Sequence, residues 1–277
     1  MRNPTDRRAL VIQTQSSRPA SERAGVAIRV VEMRKIMGQG VAFDSNEFLG
    51  RLSAETLGLL TPYLMEVSLH RGAQVAGPGE ELVCAWFPTS SVLSVVTTME
   101  SGHDVEACTI GRESAYGILN ALGSSISTDR VVAQIAGRAF KIPASRLRAA
   151  AALSLGLTDL IIRHAQANAA QIQQTAACNA LHSVDERLCR WLLMTQDRVG
   201  GDQLPLTQEF LALMLGVQRT TVSRVASGLQ DAGLVRYSRG QIQVIDRPGL
   251  EAHACECYES VRQKYDELLS VHPKGRG

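Results

Sequence analysis

From Leu211 to Gln230 the chain holds two arginines, Arg219 and Arg224, and no aspartate or glutamate. A guanidinium donates in a planar fork that matches phosphate oxygens and the O6/N7 edge of guanine, so an acid-free stretch of this kind is suited to a polyanion. Thr220, Thr221 and Ser223 stand among the arginines, and their hydroxyls can bond phosphates or base edges. The apolar residues decide where these groups point. Leu211, Ala212 and Leu215 recur at helical spacing, Gly216 can take a left-handed turn, and Val222, Val225 and Leu229 resume the period. The spacing predicts two short helices packed at an angle, the second from about Arg219 to Ala232 with Gly233 as its stop. Arg219, Thr220, Ser223 and Arg224 lie off its apolar stripe, where a helix presents side chains to a DNA major groove. Gln218 is a weak N-cap, which leaves the first amides open to a neighbouring phosphate. Leu234 to Tyr237 and Gln241 to Ile245 alternate like strands around Ser238, Arg239 and Gly240, a wing beside the second helix.

The elements that carry this region lie upstream. Asn46 to Leu64 reads as a short amphipathic helical region with Ser45 and Ser53 as caps. From Gly72 to Pro143, short apolar stretches (Val83 to Phe87, Val92 to Thr98, Val105 to Ile110, Val131 to Ile135, Ala139 to Ile142) alternate with turn residues such as Pro78 and Gly79. That is the spacing of a small β-roll, a container for a small ligand. From Ser145 through Asp197 there is no proline and the pattern is helical. Ala151, Leu155, Thr158, Ile162, Ala165, Ala169, Ile172 and Ala176 alternate at spacings of four and three, the seam of a two-stranded coiled coil in which alanines allow close approach. The expected partner is a second copy of the chain, with Ile162, Ala165, Ala169, Ile172 and Ala176 at the interface. The run breaks near His182, and Val184, Leu188, Trp191, Leu192 and Thr195 open the next helix. The expected organisation is an α+β fold: a basic extension over 1–38, a β-roll over 39–148, a dimerisation helix over 149–182, and a winged helix-turn-helix over 183–277.

Ala212, Gly216 and Val222 stand in the relation seen in helix-turn-helix modules. The whole stretch LTQEFLALMLGVQRTTVSRVASGLQDAGLVRYSRGQIQVID resembles the C-terminal domain of the Crp/Fnr family of bacterial transcription regulators. His70 to Ser114, HRGAQVAGPGEELVCAWFPTSSVLSVVTTMESGHDVEACTIGRES, is similar in pattern to that family's cyclic-nucleotide-binding-type β-roll. The resemblance implies a homodimeric transcription regulator on double-stranded DNA, with RNA polymerase as a further partner and the long helix relaying the sensor's state. By the same resemblance Arg219 contacts a guanine edge or phosphate at the groove's entry, and Ser223 and Arg224 read bases. Thr220 stands where many relatives have Glu; a glutamate accepts from cytosine N4, which threonine does less well, so the operator is expected to depart from the usual half-site there. Relatives that bind cyclic AMP hold its ribose with a Gly-Glu pair and its phosphate with Arg-Ser or Arg-Thr. Here Gly117 is followed by Ile118 and Arg130 by Val131, so the expected effector is some other small molecule or none.

Composition sets the remaining bounds. The 277 residues, 45% of them hydrophobic, suffice for two ordinary domains. Residues 1–38 carry eight Lys or Arg against three Asp or Glu, net +5, in a chain whose total is only +2. Such an opening has few large apolar side chains to bury and is expected to be flexible. Asp6, Glu22 and Glu32 count against a transit peptide, and no secretory apolar region is apparent. The longest apolar run, Ala149 to Ile162, is interrupted by Asp159 and falls short of the roughly 18 residues that span a membrane, so no membrane partner is expected. Six cysteines spread over the chain suggest reduced thiols in a cytoplasm. His253, Cys255 and Cys257 sit close together on one expected helix. Positions i and i+2 point to different faces, and no second Cys or His pair is evident at ligand spacing, so neither metal nor cofactor is expected. Residues 1–83 lack the cysteine set through which some relatives hold an iron-sulfur cluster. His70 and His103 read as turn histidines rather than haem ligands, and Cys84 and Cys108 as core residues. No phosphate-cradling loop, Gly-x-Ser-x-Gly elbow or His-Glu-x-x-His helix occurs, so the chain is not expected to be an enzyme. The alternative to a DNA reader is a small-ligand module whose helical C-terminal domain contacts protein.

Overall fold

The computed structural model describes residues 34–35, 43–100, 104–238 and 240–270. Most of the basic extension therefore lies outside the described residues. The exception is β1 (Arg34–Lys35), which pairs antiparallel with β2 (Met65–Leu69), Arg34 opposite Glu66. Those two residues belong to the roll, not to the tail that composition assigned them to.

Two short helices lie between β1 and β2, α1 (Glu47–Gly50) and α2 (Ala54–Leu60). Ser53 caps the second, but Asn46 rather than Ser45 caps the first, its side chain accepting from the Leu49 amide. The Asn46 amide group also donates to Pro88 O and Ser114 O, which a serine is too short to do while capping. The strands that follow are β3 (Gln74–Ala76), β4 (Cys84–Pro88), β5 (Val92–Thr98) and β6 (Asp104–Ile110), then α3 (Ile118–Leu122), β7 (Arg130–Ile135) and β8 (Gly137–Pro143). They form two antiparallel four-stranded sheets, ordered β1-β2-β8-β4 and β3-β7-β5-β6. The roll is filled by Leu69, Trp86, Leu93, Val95, Ile110 and Val131, among others. A second cluster, including Phe48, Phe87, Phe140, Leu147 and Ile161, seats the helices against it.

The long helical run expected from Ser145 is broken once within the sensor. Here α4 (Ala144–Leu153) ends and α5 (Leu155–Leu181) begins at Ser154, whose extended backbone and side chain cap α5 by accepting from the Leu157 amide. Ala151 therefore falls on α4 and is buried in the sensor core, so it leaves the coiled-coil seam. Ser183 and Glu186 form a reciprocal capping box that opens α6 (Val184–Val199).

Next come β9 (Gln203–Leu204), α7 (Gln208–Leu215), α8 (Arg219–Asp231), β10 (Val235–Ser238) and β11 (Gln241–Val244). β10 and β11 pair antiparallel as the strand pattern predicts, and β9 adds a third strand, so the wing is the sheet β10-β11-β9. The C-terminal helix is also divided, into α9 (Arg247–His253) and α10 (Cys257–Leu269), with Ala254 extended at the break.

The C-terminal domain, from α6 onward, packs on the roll through Val96 and Val132, which join its apolar core, and through buried polar groups. The Trp191 indole of α6 donates to Glu106 on β6 at 2.8 Å, and Ser94 donates to the other carboxylate oxygen. Arg198 of α6 donates to Glu113 at 2.8 Å, to Gln171 of α5 at 3.1 Å and to Thr109 O at 3.3 Å. Burial raises the Glu106 carboxyl above the usual range, against the hydrogen bonds from Ser94 and Trp191 and the nearby Arg198 and Arg190. The folded protein therefore binds this proton more tightly than the unfolded chain, and stability is lost as pH rises from the ordinary value of 4.5 toward the raised one. Glu106→Gln keeps an acceptor for Trp191 and removes the titration. Between pH 4.5 and neutrality, the melting temperature of the variant is expected to gain on that of the wild type; a constant difference between them would show that Glu106 is not held in this way.

Candidate nucleic-acid interface

The Thr207 side chain caps α7 by accepting from the Phe210 amide. Gly216 closes that helix at φ +65°, and Arg187 of α6 donates to Leu215 O just before it. A side chain at Gly216 would be strained in this left-handed conformation, and its Cβ would meet Val105 of β6 at 3.6 Å. Leu211, Leu215, Val222, Val225 and Leu229 are buried where α7 and α8 cross.

This packing leaves Arg219, Thr220 and Arg224 exposed along the N-terminal half of α8, with Thr221 and Ser223 half-buried beside them. Arg219 pairs with Glu209 of α7 at 3.0 Å, both side chains being exposed. Ser223 donates to Gln208 of α7 at 2.7 Å and to Arg219 O at 3.1 Å. Gln208 and Glu209 thus set the approach of two residues singled out for DNA, and sequence reasoning did not name them. The signal was the capping threonine, which places both in the first turn of α7, facing α8. Gln218 makes no side-chain cap, so the first amides of α8 have no side-chain partner there. Arg239 lies outside the described residues; its neighbour Gly240 turns the wing at φ +78°.

In the sensor, Gly117 caps α3 at φ +79°, and a Cβ there would come within 2.5 Å of Leu82. Ile118 is buried. Arg130 pairs with Asp104 at 2.5 Å, and Asp104 also accepts from Thr98 at 2.6 Å. Arg130 lines a cavity of about 180 Å³ with Arg71, Val96, Phe210 and Met214, against α7. His70 is exposed, its ring bonded to Arg71 O, and His103 lies outside the described residues. Burial pushes the Cys108 and Cys189 thiols up to about 12, as suits inert core residues.

Along α5, Leu157, Leu160, Ile161, His164 and Ala167 face the sensor and are buried. Ile162 and Ile172 are 48% and 42% exposed, Ala169 and Ala176 are exposed, and Ala165 is half-buried, all on the other side of the helix. His253 turns away from the cysteines, its ring bonded to Gly249 O at 2.8 Å. Cys255 and Cys257 meet Cys178 and His182 from the end of α5 instead. Among the described residues no helix is long and apolar enough to cross a membrane.

Residues 186–253 match the family model of the Crp-like helix-turn-helix domain. The chain as a whole has the mixed helix-and-strand fold of the Crp/Fnr regulators. A regulator of that family from Eubacterium rectale superposes with a TM-score of 0.60 at 18% identity, over 76% of this chain and 98% of the other. FixK2 of Bradyrhizobium japonicum gives 0.60 at 17% identity over 69% and 98%. The c-di-GMP responsive global regulator CLP of Xanthomonas campestris gives 0.57 at 17% over 70% and 100%. A comparison with curated proteins finds no match.

Within the Crp-like domain, Arg224 is the exposed arginine placed about 1.4 turns beyond Arg219, which pairs with Glu209. Arg224→Ala is expected to weaken specific duplex binding by about 1–3 kcal/mol per half-site, tenfold or more, with an unchanged melting temperature. Equal gel-shift titrations for mutant and wild type would place base reading elsewhere.

Proposed function

We propose that the chain binds double-stranded DNA sequence-specifically as a homodimer and regulates transcription, with a sensor that does not take cyclic AMP. The carrying observation is the exposed edge of α8, where Arg219, Thr220 and Arg224 stand opposite a buried apolar stripe. The groove-facing roles are those of the sequence reading: Arg219 at the groove's entry, Ser223 and Arg224 on bases, Thr220 and Thr221 beside them, and Arg239 on the wing. Ser223 must exchange Gln208 for a base to serve, and Arg219 must share itself between Glu209 and the DNA.

The homodimer reading rests on the outer face of α5. A helix of 27 residues is about 40 Å long, and Ile162, Ala165, Ala169, Ile172 and Ala176 run along it at coiled-coil spacing, Ala165 half-buried and the others exposed among the described residues. A second α5 would cover them, and Leu155 and Leu181, 89% and 79% exposed, flank the stripe. RNA polymerase remains the partner a regulator of this type would engage.

The sensor reading rests on Ile118, which offers no acceptor to a ribose, and on Arg130, whose guanidinium is paired with Asp104. A different effector, or none, is the consistent assignment, and Gly117 then serves the turn into α3 rather than a ligand.

Ile172→Asp tests the dimer and the DNA reading together, because like charges would face each other in a desolvated seam. Sedimentation should report a monomer, and duplex affinity should fall with it. Wild-type affinity should drop steeply with salt, since each neutralised phosphate releases counterions. An unchanged dimer would move the interface off α5. Salt-independent binding would favour the protein-contacting alternative.

A further inference from the structure

The end of α5 and the break between α9 and α10 bring four ligand-type side chains together. The donor atoms of Cys178, His182, Cys255 and Cys257 all lie within 4.8 Å of one another. Cys178 Sγ is 3.5 Å from Cys255 Sγ, and Cys257 Sγ is 3.5 Å from His182 Nδ1. In a tetrahedral zinc site with bonds of about 2.3 Å to sulfur and 2.0 Å to nitrogen, neighbouring donors stand about 3.5–3.8 Å apart. We propose that these residues form a closed Cys3His site for a single thiophilic divalent ion, zinc by preference, that fastens the Crp-like domain to the end of α5.

Three further features fit such an ion. The far nitrogen of His182, Nε2, lies 3.1 Å from Glu256 Oε2, the carboxylate-histidine arrangement that orients a ligating imidazole and leaves Nδ1 to face the metal. Gln174 donates to Cys257 Sγ at 3.1 Å and is itself held by Lys264 at 2.9 Å, so one thiolate is already supported from outside. Arg187 and Arg190 of α6 are buried, each with an Nε that lacks a hydrogen-bond partner, and their charges act on Cys178. Three thiolates around a divalent ion carry a net charge of −1, which buried guanidinium groups offset. An iron-sulfur cluster would place irons and sulfides between the cysteines and needs wider spacing than this.

The spacing explains why the site was missed. Cys178 and His182 are an i, i+4 pair on one face of a helix, but they lie more than 70 residues from Cys255 and Cys257. Cys255 lies in the extended break before α10, so the helical argument against pairing it with Cys257 does not hold. The two halves of the site also straddle His182–Ser183, where α5 gives way to the Crp-like domain. An ion bound here takes up the slack at that joint, and its binding releases the thiol protons to solvent.

The test uses the full chain, without a histidine tag, purified under reducing conditions. Elemental analysis should find about one zinc per chain, and exchange for cobalt should give the absorption bands of a tetrahedral thiolate complex at the same stoichiometry. Cys255→Ser should lose those bands. Glu256→Gln, which leaves all four ligands in place, should weaken zinc about 10–100-fold in chelator competition, while His253→Ala should change nothing. Removal of zinc by chelator should lower the melting temperature of the wild type. A metal-free protein with no cobalt bands would overturn the proposal, as would a native Cys178–Cys255 disulfide or iron with acid-labile sulfide.

Discussion

One helix, α5, has to satisfy three surfaces, and its sequence is divided among them. Leu157, Leu160, Ile161, His164 and Ala167 bury one stripe on the sensor. His164 is pushed down to about 3, mainly by burial, so it packs as a neutral ring edge-on to Phe48, 4.8 Å between centroids. A second stripe receives α10, through Tyr265 on Asn168 and Lys264 on Gln174. The third, with Ile162, Ala169 and Ile172, is exposed among the described residues. At 3.6 residues per turn, a change of one residue in the register of any stripe would displace the other two. The sensor, the second copy proposed for the exposed face and the Crp-like domain are therefore positioned by the same backbone.

The contact between the roll and the Crp-like domain is mixed: Val96 and Val132 of the roll join the apolar core of that domain, and a buried polar network runs beside them. Glu106 and Arg198 are buried, and each is hydrogen-bonded on several sides by groups from both domains. Removing one partner of such a network is costly, whereas the network as a whole contributes little net stability. A joint of this kind specifies an orientation without making it irreversible. Val105 against Gly216 brings β6 to the turn between α7 and α8, so a shift of β6 reaches α8 with little intervening structure.

Local pattern made much of this legible. The apolar period around Gly216 placed α7 and α8, because their core residues are close in sequence, and β5 is bounded by turn residues where alternation ends. Features made by contact between distant segments were not legible. β9 has only two residues and exists because β11 offers it an edge. The break at Ser154 depends on the sensor core drawing Ala151 inward, and no proline announced it. In the candidate site, the acid-free stretch marked Arg219 and Arg224, but Glu209 and Gln208 reach α8 only because the helices cross at the glycine turn. The Cys3His cluster was hidden for the same reason, its two halves lying on different elements.

The proposed function requires a pair of α8 helices to read two half-sites. The most direct measurement is guanine N7 methylation protection on a duplex selected from a random library by the full chain. Major-groove protection is expected in two symmetric patches whose centres are separated by one helical turn, about 10–10.5 base pairs, or a multiple of it. A single patch, minor-groove protection, or failure to select any sequence would contradict it.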